Sequence, residues 1–228
     1  MKTYQEFLSN KIKNIEDSGF EIDDSKLNKH LFPFQKFIVK KAISKGRYAI
    51  FADCGLGKTI MQLEWAYQIK NHINKPILII CPLAVAGQTI KEGKKFNIDV
   101  VKYSNQTDAK IYITNYEQLD NIDCSVFGGI VLDESSILKN YEGKIKNKIL
   151  ADFHKTKYKL ACTATPSPND PMELGNHSEF LNIMTRSEML SMYFIHDGGE
   201  TQKWRLKKHS VDSFWSFVSS WSIMLTKP

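Results

Sequence analysis

The sequence predicts an α/β fold, a mostly parallel central sheet covered by helices on both faces. Short runs of four to six apolar residues, continuous rather than alternating, recur along the chain and read as strands buried on both sides. Longer stretches with helical periodicity separate them, the order that produces a parallel sheet. No internal repeat and no Pro-rich or Gly/Ser-rich linker divides the 228 residues, a length close to that of one domain at roughly 100 to 200 residues per domain. In such sheets ligands bind beyond the carboxyl ends of the strands, so the polar residues that follow each strand carry the functional argument.

The elements follow in chain order. Tyr4, Phe7, Leu8, Ile12 and Ile15 fall at helical spacing before Ser18-Gly19 stops them, and a second helix follows Pro33 to about Lys45. Strands are predicted over Tyr48 to Ala52, Pro76 to Cys81, Val100 to Tyr103, Ile111 to Thr114, Gly129 to Leu132 and Tyr158 to Cys162. Helices are predicted over Thr59 to Asn71, roughly Gly143 to Asp152, and Pro171 to Ile183. After a break at Gly198-Gly199 and a basic-aromatic cluster from Lys203 to His209, Phe214, Phe217, Val218, Trp221 and Leu225 form one helical stripe.

Composition removes several classes of function. A hydrophobic content of 42% with 25% charged residues is that of a folded globular chain and excludes disorder and collagen-like repeats. The longest apolar run, Ile77 to Ala86, covers ten residues, whereas a membrane span needs about 20. The opening Met1-Lys2-Thr3-Tyr4-Gln5-Glu6 lacks the apolar core of a secretion signal, so a cytoplasmic protein without membrane partners is expected. Cys54, Cys81, Cys124 and Cys162 show no C-x-x-C spacing, which suggests reduced, mostly buried thiols rather than a zinc site or a disulfide framework. The 31 basic and 25 acidic side chains leave a charge of +6, compatible with a polyanionic partner, although lysines on solvated faces account for most of it. Only Arg47, Arg186 and Arg205 are arginines.

Three segments carry chemistry. Tyr48-Ala49-Ile50-Phe51 runs into Ala52-Asp53-Cys54-Gly55-Leu56-Gly57-Lys58-Thr59 and then a helix. This is the context of a phosphate-binding loop: glycines turn backbone N–H groups inward, Lys58 reaches the β/γ oxygens and Thr59 offers a hydroxyl to Mg²⁺. Ala52 stands where the strict pattern has its first glycine. The apolar run Gly128 to Leu132 ends in Asp133-Glu134, a pair in which Asp133 can hold Mg²⁺ and Glu134 can polarise an attacking water. Lys159 to Cys162 ends in Thr163-Ala164-Thr165-Pro166, whose hydroxyls can reach toward those carboxylates and relay the state of the γ-phosphate.

In this order the sequence resembles the superfamily-two helicases and translocases, and within them the Swi/Snf-like branch. The resemblance covers about residues 31 to 185. Leu31-Phe32-Pro33-Phe34-Gln35 is similar to the adenine-reading Q motif with Gln35 as reader, and Ala52 to Thr59, including Gly55, Leu56 and Gly57, matches motif I. Ile79-Ile80-Cys81-Pro82-Leu83-Ala84 with Gln88 resembles motif Ia, and Ile113-Thr114-Asn115-Tyr116 resembles motif Ib. Val131 to Ser136 with Lys139-Asn140 resembles motif II, Thr163-Ala164-Thr165 motif III, and Asn169 to Leu174 its continuation. The resemblance implies a RecA-like lobe that binds ATP and Mg²⁺, with Lys58, Asp133 and Glu134 as catalytic residues. It further implies translocation along duplex DNA without base reading, with backbone contacts from Pro82, Leu83, Gln88, Thr114 and Lys139. At Ser135 the family usually carries Ala or Gly, and at Ser136 His or Asp, the residue that links motif II to motif III. Coupling is therefore assigned to Ser136 with Thr163 and Thr165, and the Ser-Ser variant resembles phage or mobile-element members.

The family completes its site with a second lobe that supplies motif VI and an arginine finger, and no Q-x-x-G-R-x-x-R string occurs here. The chain is expected to comprise a helical leader over residues 1–30, a core over 31–185 and a helical extension over 186–228 that faces a second lobe, encoded downstream or supplied in trans. ATP binding with slow turnover is the expectation, since an arginine finger contributes about 10³ to 10⁵ in rate. Two other readings stay open: a stand-alone nucleotide- or DNA-binding regulatory module, and a P-loop ATPase of another type.

Overall fold

The computed structural model describes residues 17–105, 108, 110–139, 143–167, 170–196 and 204–226. The helix expected over residues 4–15, the Gly198-Gly199 break, Lys203, Asn140 and Asn169 lie outside the described residues.

Seven strands form one sheet in the order β3-β4-β2-β5-β6-β1-β9. They are β1 (Arg47–Ala52), β2 (Ile77–Cys81), β3 (Val100–Lys102), β4 (Ile111–Asn115), β5 (Gly129–Asp133), β6 (Tyr158–Thr163) and β9 (Ser222–Leu225). Every neighbouring pair is parallel, as the apolar runs and intervening helices require. A separate antiparallel pair joins β7 (Phe194–His196) to β8 (Trp204–Leu206). The α/β expectation with a mostly parallel sheet holds.

Alternation along each strand divides the core in two. Ala49, Phe51, Leu78, Ile80, Ile130, Leu132 and Ala161 point to one face. There they meet α4 (Lys144–Asp152), α5 (Leu174–Phe180), α6 (Arg186–Tyr193) and α7 (Val211–Trp221) through Ile149, Phe180, Met189 and Phe214. Tyr48, Ile50, Ile79, Val131 and Leu160 point to the other face. That face is covered by α1 (Pro33–Lys45) and α2 (Lys58–Ile73) through Ile38, Val39, Leu63 and Trp65, and α3 (Leu83–Lys95) packs alongside with Val85 and Ile90. Gly46 ends α1 at φ 72° and its N–H donates to the carbonyls of Ala42 and Ile43, the left-handed cap that only glycine adopts without cost.

Three elements differ from the expectation. Helix α3 follows directly on β2, because Pro82 occupies its N-cap with φ −58° and turns the apolar run into a helix start. The helix expected over 171–183 is a 3-10 turn, Pro171–Glu173, followed by the shorter α5. The C-terminal extension is not wholly helical: α7 stops at Trp221 and Ser222–Leu225 becomes a strand beside β1. Phe214, Phe217, Val218 and Trp221 are buried in this lobe's own core, so the stripe packs inward rather than toward another lobe, and Leu225 belongs to the sheet. Among the described residues no helix is long and apolar enough to cross a membrane.

Two outcomes follow from this packing. Trp221 stands edge-on to Phe51, with ring centroids 6.2 Å apart. Trp221→Ala is expected to cost about 3 to 5 kcal/mol of unfolding free energy in urea titration; a change within about 0.5 kcal/mol, the usual range for surface substitutions, would show the tail to be peripheral. At the sheet's other end, Lys159 is buried on β6 and donates to the Phe180 carbonyl at 2.9 Å and to Asn182 Oδ1 at 3.1 Å. Burial, helped by Arg47, pushes its pKa down to about 7 from 10.5. Between those values the unfolded chain binds the extra proton, so stability rises with pH and this contribution is lost as pH falls toward 7. Unfolding midpoints at about pH 7.5 and about pH 9.5 should show wild type gaining on Lys159→Met at the higher pH, and parallel responses would refute the burial argument.

Candidate nucleotide site and the surface beside it

β1, β6 and β5 are neighbours, and the three chemical segments leave their carboxyl ends side by side. The register sets Phe51 opposite Thr163 and Asp133 opposite Cys162. The loop 53–57 turns through Gly55 at φ 84° and Gly57 at φ 79°, and α2 begins at Lys58. The positive end of α2 and its free N–H groups thus face the loop's interior, an arrangement suited to an anion. Lys58 Nζ donates to the Ala52 carbonyl at 2.7 Å and toward that of Asp53 at 3.4 Å. Thr59 follows in the first turn of α2. Ala52 remains within β1 and is 1% exposed, so the strict pattern's glycine is replaced where the backbone is extended and a methyl group packs in the core.

Gln35 reaches this loop from α1. Its Nε2 donates to the Leu56 carbonyl at 3.1 Å, while its Oε1 accepts from Phe32 N–H at 2.9 Å. A Cβ on Gly57 would lie 2.3 Å from Gln35 Nε2. Gly57 thus needs both its backbone conformation and its lack of a side chain.

The Asp133 carboxyl is buried, which raises its pKa; the Gln62 amide and the Lys58 charge oppose that shift, and Glu134 adds to it. Tyr116 donates to the Asp133 carbonyl at 2.7 Å, tying the residue after β4 to the end of β5. Glu134 is held at φ +53°, a left-handed conformation that costs a non-glycine residue about 1 kcal/mol or more. Thr163 Oγ1 donates to Glu134 Oε2 at 3.2 Å and accepts from Thr165 N–H at 3.1 Å. Among the described residues Ser136 donates only within its own turn, to the Glu134 carbonyl at 3.5 Å. Ser135 instead shares a 3.1 Å hydrogen bond with His177 Nε2. Burial lowers the His177 pKa to about 4, the Glu173 carbonyl opposing and the Lys139 charge reinforcing the shift, so the ring is neutral near pH 7.

A hard cation fits this donor set. Thr59 and Asp133 offer a hydroxyl and a carboxylate, and a buried carboxylate beside a second one is stabilised by positive charge. Among the described residues no group of three or more His, Cys, Asp or Glu side chains forms a metal cage. Mg²⁺ is commonly held by one or two protein oxygens together with substrate phosphates.

Of the residues assigned to DNA, Pro82 and Leu83 open α3 after β2, and Thr114 lies at the end of the neighbouring β4. Leu83 and Thr114 border one cavity of about 510 Å³ with Ala86, Lys102, Asn115 and Gln118. Gln88 is exposed on α3 and donates to Glu92 at 3.2 Å. Lys139 ends the 3-10 turn Ser135–Lys139 that follows the carboxylates. Sequence reasoning passed over Gln62 and His177, and named Tyr116 in the motif Ib string without giving it a role. Gln62 had a signal in its place one turn beyond Lys58, which puts both on one face of α2.

The profile of the SNF2-related domain matches residues 34–193. The p41 protein of Acyrthosiphon pisum secondary endosymbiont phage 1 is 29% identical over 178 residues, covering 66% of this chain and 38% of that protein. The SWI/SNF-related matrix-associated actin-dependent regulator of chromatin subfamily A-like protein 1 of Xenopus tropicalis is 28% identical over 164 residues, covering 66% of this chain and 17% of its own length. This chain therefore spans well under half of either relative. Among solved structures, the Sulfolobus solfataricus SWI2/SNF2 ATPase core in complex with dsDNA superposes with a TM-score of 0.73 at 22% identity, over 90% of this chain and 46% of that one. That likeness establishes the fold, a RecA-like lobe.

The two glycine environments give opposite outcomes for the same substitution. Gly57→Ala forces a Cβ into left-handed backbone against Gln35 and is expected to lower stability by about 1 to 2 kcal/mol. Gly87→Ala, in α3 with nothing within 4 Å of the added methyl, is expected to raise it by about 0.5 to 1 kcal/mol. Thermal unfolding of the two variants checks both signs.

Proposed function

Since this chain belongs to the SNF2-related domain family, we propose that it is the ATP-binding lobe of an ATP-dependent DNA translocase or helicase working in the cytoplasm, the host's if the gene is phage-borne. One observation carries the reading: the loop bearing Lys58, the Asp133-Glu134 pair and Thr163 leave three adjacent parallel strands at the same end. Gly55, Leu56 and Gly57 present backbone N–H groups to the phosphates, and Lys58 exchanges the Ala52 and Asp53 carbonyls for phosphate oxygens. Gln35, fixed to the loop at Leu56, is the residue we assign to adenine. Thr59 and Asp133 would hold Mg²⁺, which would supply positive charge against the phosphates. Glu134 orients the attacking water and accepts its proton, and the Thr163 hydroxyl fixes which carboxylate oxygen stays free for that task.

Duplex DNA is the partner proposed for the carboxyl-end surface around Leu83 and Thr114, with Pro82, Gln88 and Lys139 at its borders. Such contacts position a backbone without reading bases. The arginines support a need for a second RecA-like lobe: Arg47 opens β1 at the end remote from the loop, Arg186 packs on Gly175 and Met172, and Arg205 lies in β8. The Thr163–Glu134 contact favours a translocase over other P-loop ATPases, because it ties a third segment to the hydrolytic carboxylate.

Titration with Mg²⁺-ATP tests the site. Wild type should bind, and Lys58→Ala should weaken binding at least tenfold, about 1.4 kcal/mol; equal affinities would sink the proposal. Duplex affinity should fall steeply with salt, and a salt-independent response would remove DNA as partner. Hydrolysis by this chain should be slow, rise by about 10³- to 10⁵-fold with an arginine-bearing second lobe, and be abolished by Glu134→Gln.

A further inference from the structure

Helix α5 grips the turn that follows the carboxylates at both ends. Its His177 bonds Ser135 at the start of the Ser135–Lys139 turn, 3.1 Å away. Its Asn176 Nδ2 donates to the Lys139 carbonyl at the end of the same turn, at 3.3 Å. Ser135, His177 and Asn176 are buried. The His177 ring also stands edge-on to Phe51, 5.1 Å between centroids, one residue before the end of the strand that feeds the phosphate loop. The helix itself has little room to move alone, since a Cβ on Gly175 would come within 2.9 Å of both Arg186 and Met189 of α6.

Ser136, where the family resemblance puts the link to motif III, makes its side-chain bond among the described residues only to Glu134 within its own turn. A shift of the strained Glu134 peptide instead moves Ser135, whose buried hydrogen bond cannot be exchanged for water. His177 and Asn176 are consecutive residues on one helix, so displacement at one end of the turn is delivered to the other end, at Lys139. We propose that α5, through His177 and Asn176, is the positioning element that couples the nucleotide site to Lys139, the residue proposed above for a backbone contact with DNA, and supplies the link that Ser136 does not make. The inference rests on the ATP and DNA reading above and deepens it.

Coupling of this kind is measurable without hydrolysis. The affinity for Mg²⁺ with a non-hydrolysable ATP analogue is measured with and without saturating duplex DNA, and the ratio is the coupling factor, typically about 5- to 150-fold where two sites communicate. Wild type should show a factor in that range. His177→Ala, Asn176→Ala and Ser135→Ala should each bring it toward one while retaining binding of analogue and of duplex measured separately. His177→Gln, which can still bond Ser135, should recover part of it, and Ser136→Ala should keep it. If His177→Ala does not fold, the smaller changes at Asn176 and Ser135 carry the test. Full coupling in all three alanine variants, loss confined to Ser136→Ala, or a factor of one in a wild type that binds both ligands overturns this proposal and leaves the ATP and DNA reading standing. A wild type that binds neither ligand overturns that reading, and this inference with it.

Discussion

Parallel pairing of β6 with β1 on one side and β5 on the other is the constraint on which the rest of the structure depends. Each segment with chemical potential is a strand's carboxyl end, and only this adjacency brings the loop after Ala52, the carboxylates after Leu132 and the hydroxyl of Thr163 together. The pairing is specified by burial on both faces: Ala161 packs on one core and Leu160 and Cys162 on the other. A slip of one residue would exchange those faces and take Thr163 away from Glu134. The same register sends Lys159 to the opposite end, where its amino group donates to α5's last carbonyl and to Asn182.

Burial also sets the chemistry of the groups behind the site. Cys81 is pushed up to about 12 and Cys162 well above the ordinary thiol value, by desolvation first and the Asp133 charge second. Both thiols stay protonated and act as small apolar side chains. Tyr116 is pushed up for the same reasons, so it remains a donor to the Asp133 carbonyl across the ordinary pH range. Lys58, Asp53 and the Asp133-Glu134 pair are therefore the charged side chains at the loop, with neutral groups packed behind them. Buried polar groups with defined partners confine the site to one arrangement, because each broken bond leaves a polar atom that water cannot reach.

The motifs were legible because they are local. A phosphate loop is a strand, a turn and a helix start in one uninterrupted stretch, and Asp133-Glu134 follows its strand without a gap. Gln35 was legible by its place in a motif, although its contact with Leu56 crosses 21 residues. What escaped was whatever depends on which segments meet. His177 reads in isolation as one more polar residue in a short helix, and nothing local says that Ser135 lies against it. Departure from a family pattern at Ser135-Ser136 pointed to the right turn but to the wrong serine for a contact with a second segment. The distinction is one of orientation: the buried side of a 3-10 turn took Ser135 and left Ser136 half-exposed.

The tail shows the same limit from the other direction. Phe214, Phe217, Val218 and Trp221 have helical spacing, and Leu225 continues it, so periodicity alone extends the helix by one turn too many. Ser222 ends it: its hydroxyl donates back to the Val218 carbonyl at 2.8 Å while its backbone turns extended at φ −142°. The four residues Ser222–Leu225 close an otherwise open edge of β1, and the Asp53 N–H donates to the Leu225 carbonyl at 3.0 Å. An edge strand carrying the phosphate loop would leave one side of that loop's root without fixed partners. The segment that reads as an appendage is therefore the outer wall of the strand from which Lys58 is presented, and its apolar stripe is the packing that holds the wall in place.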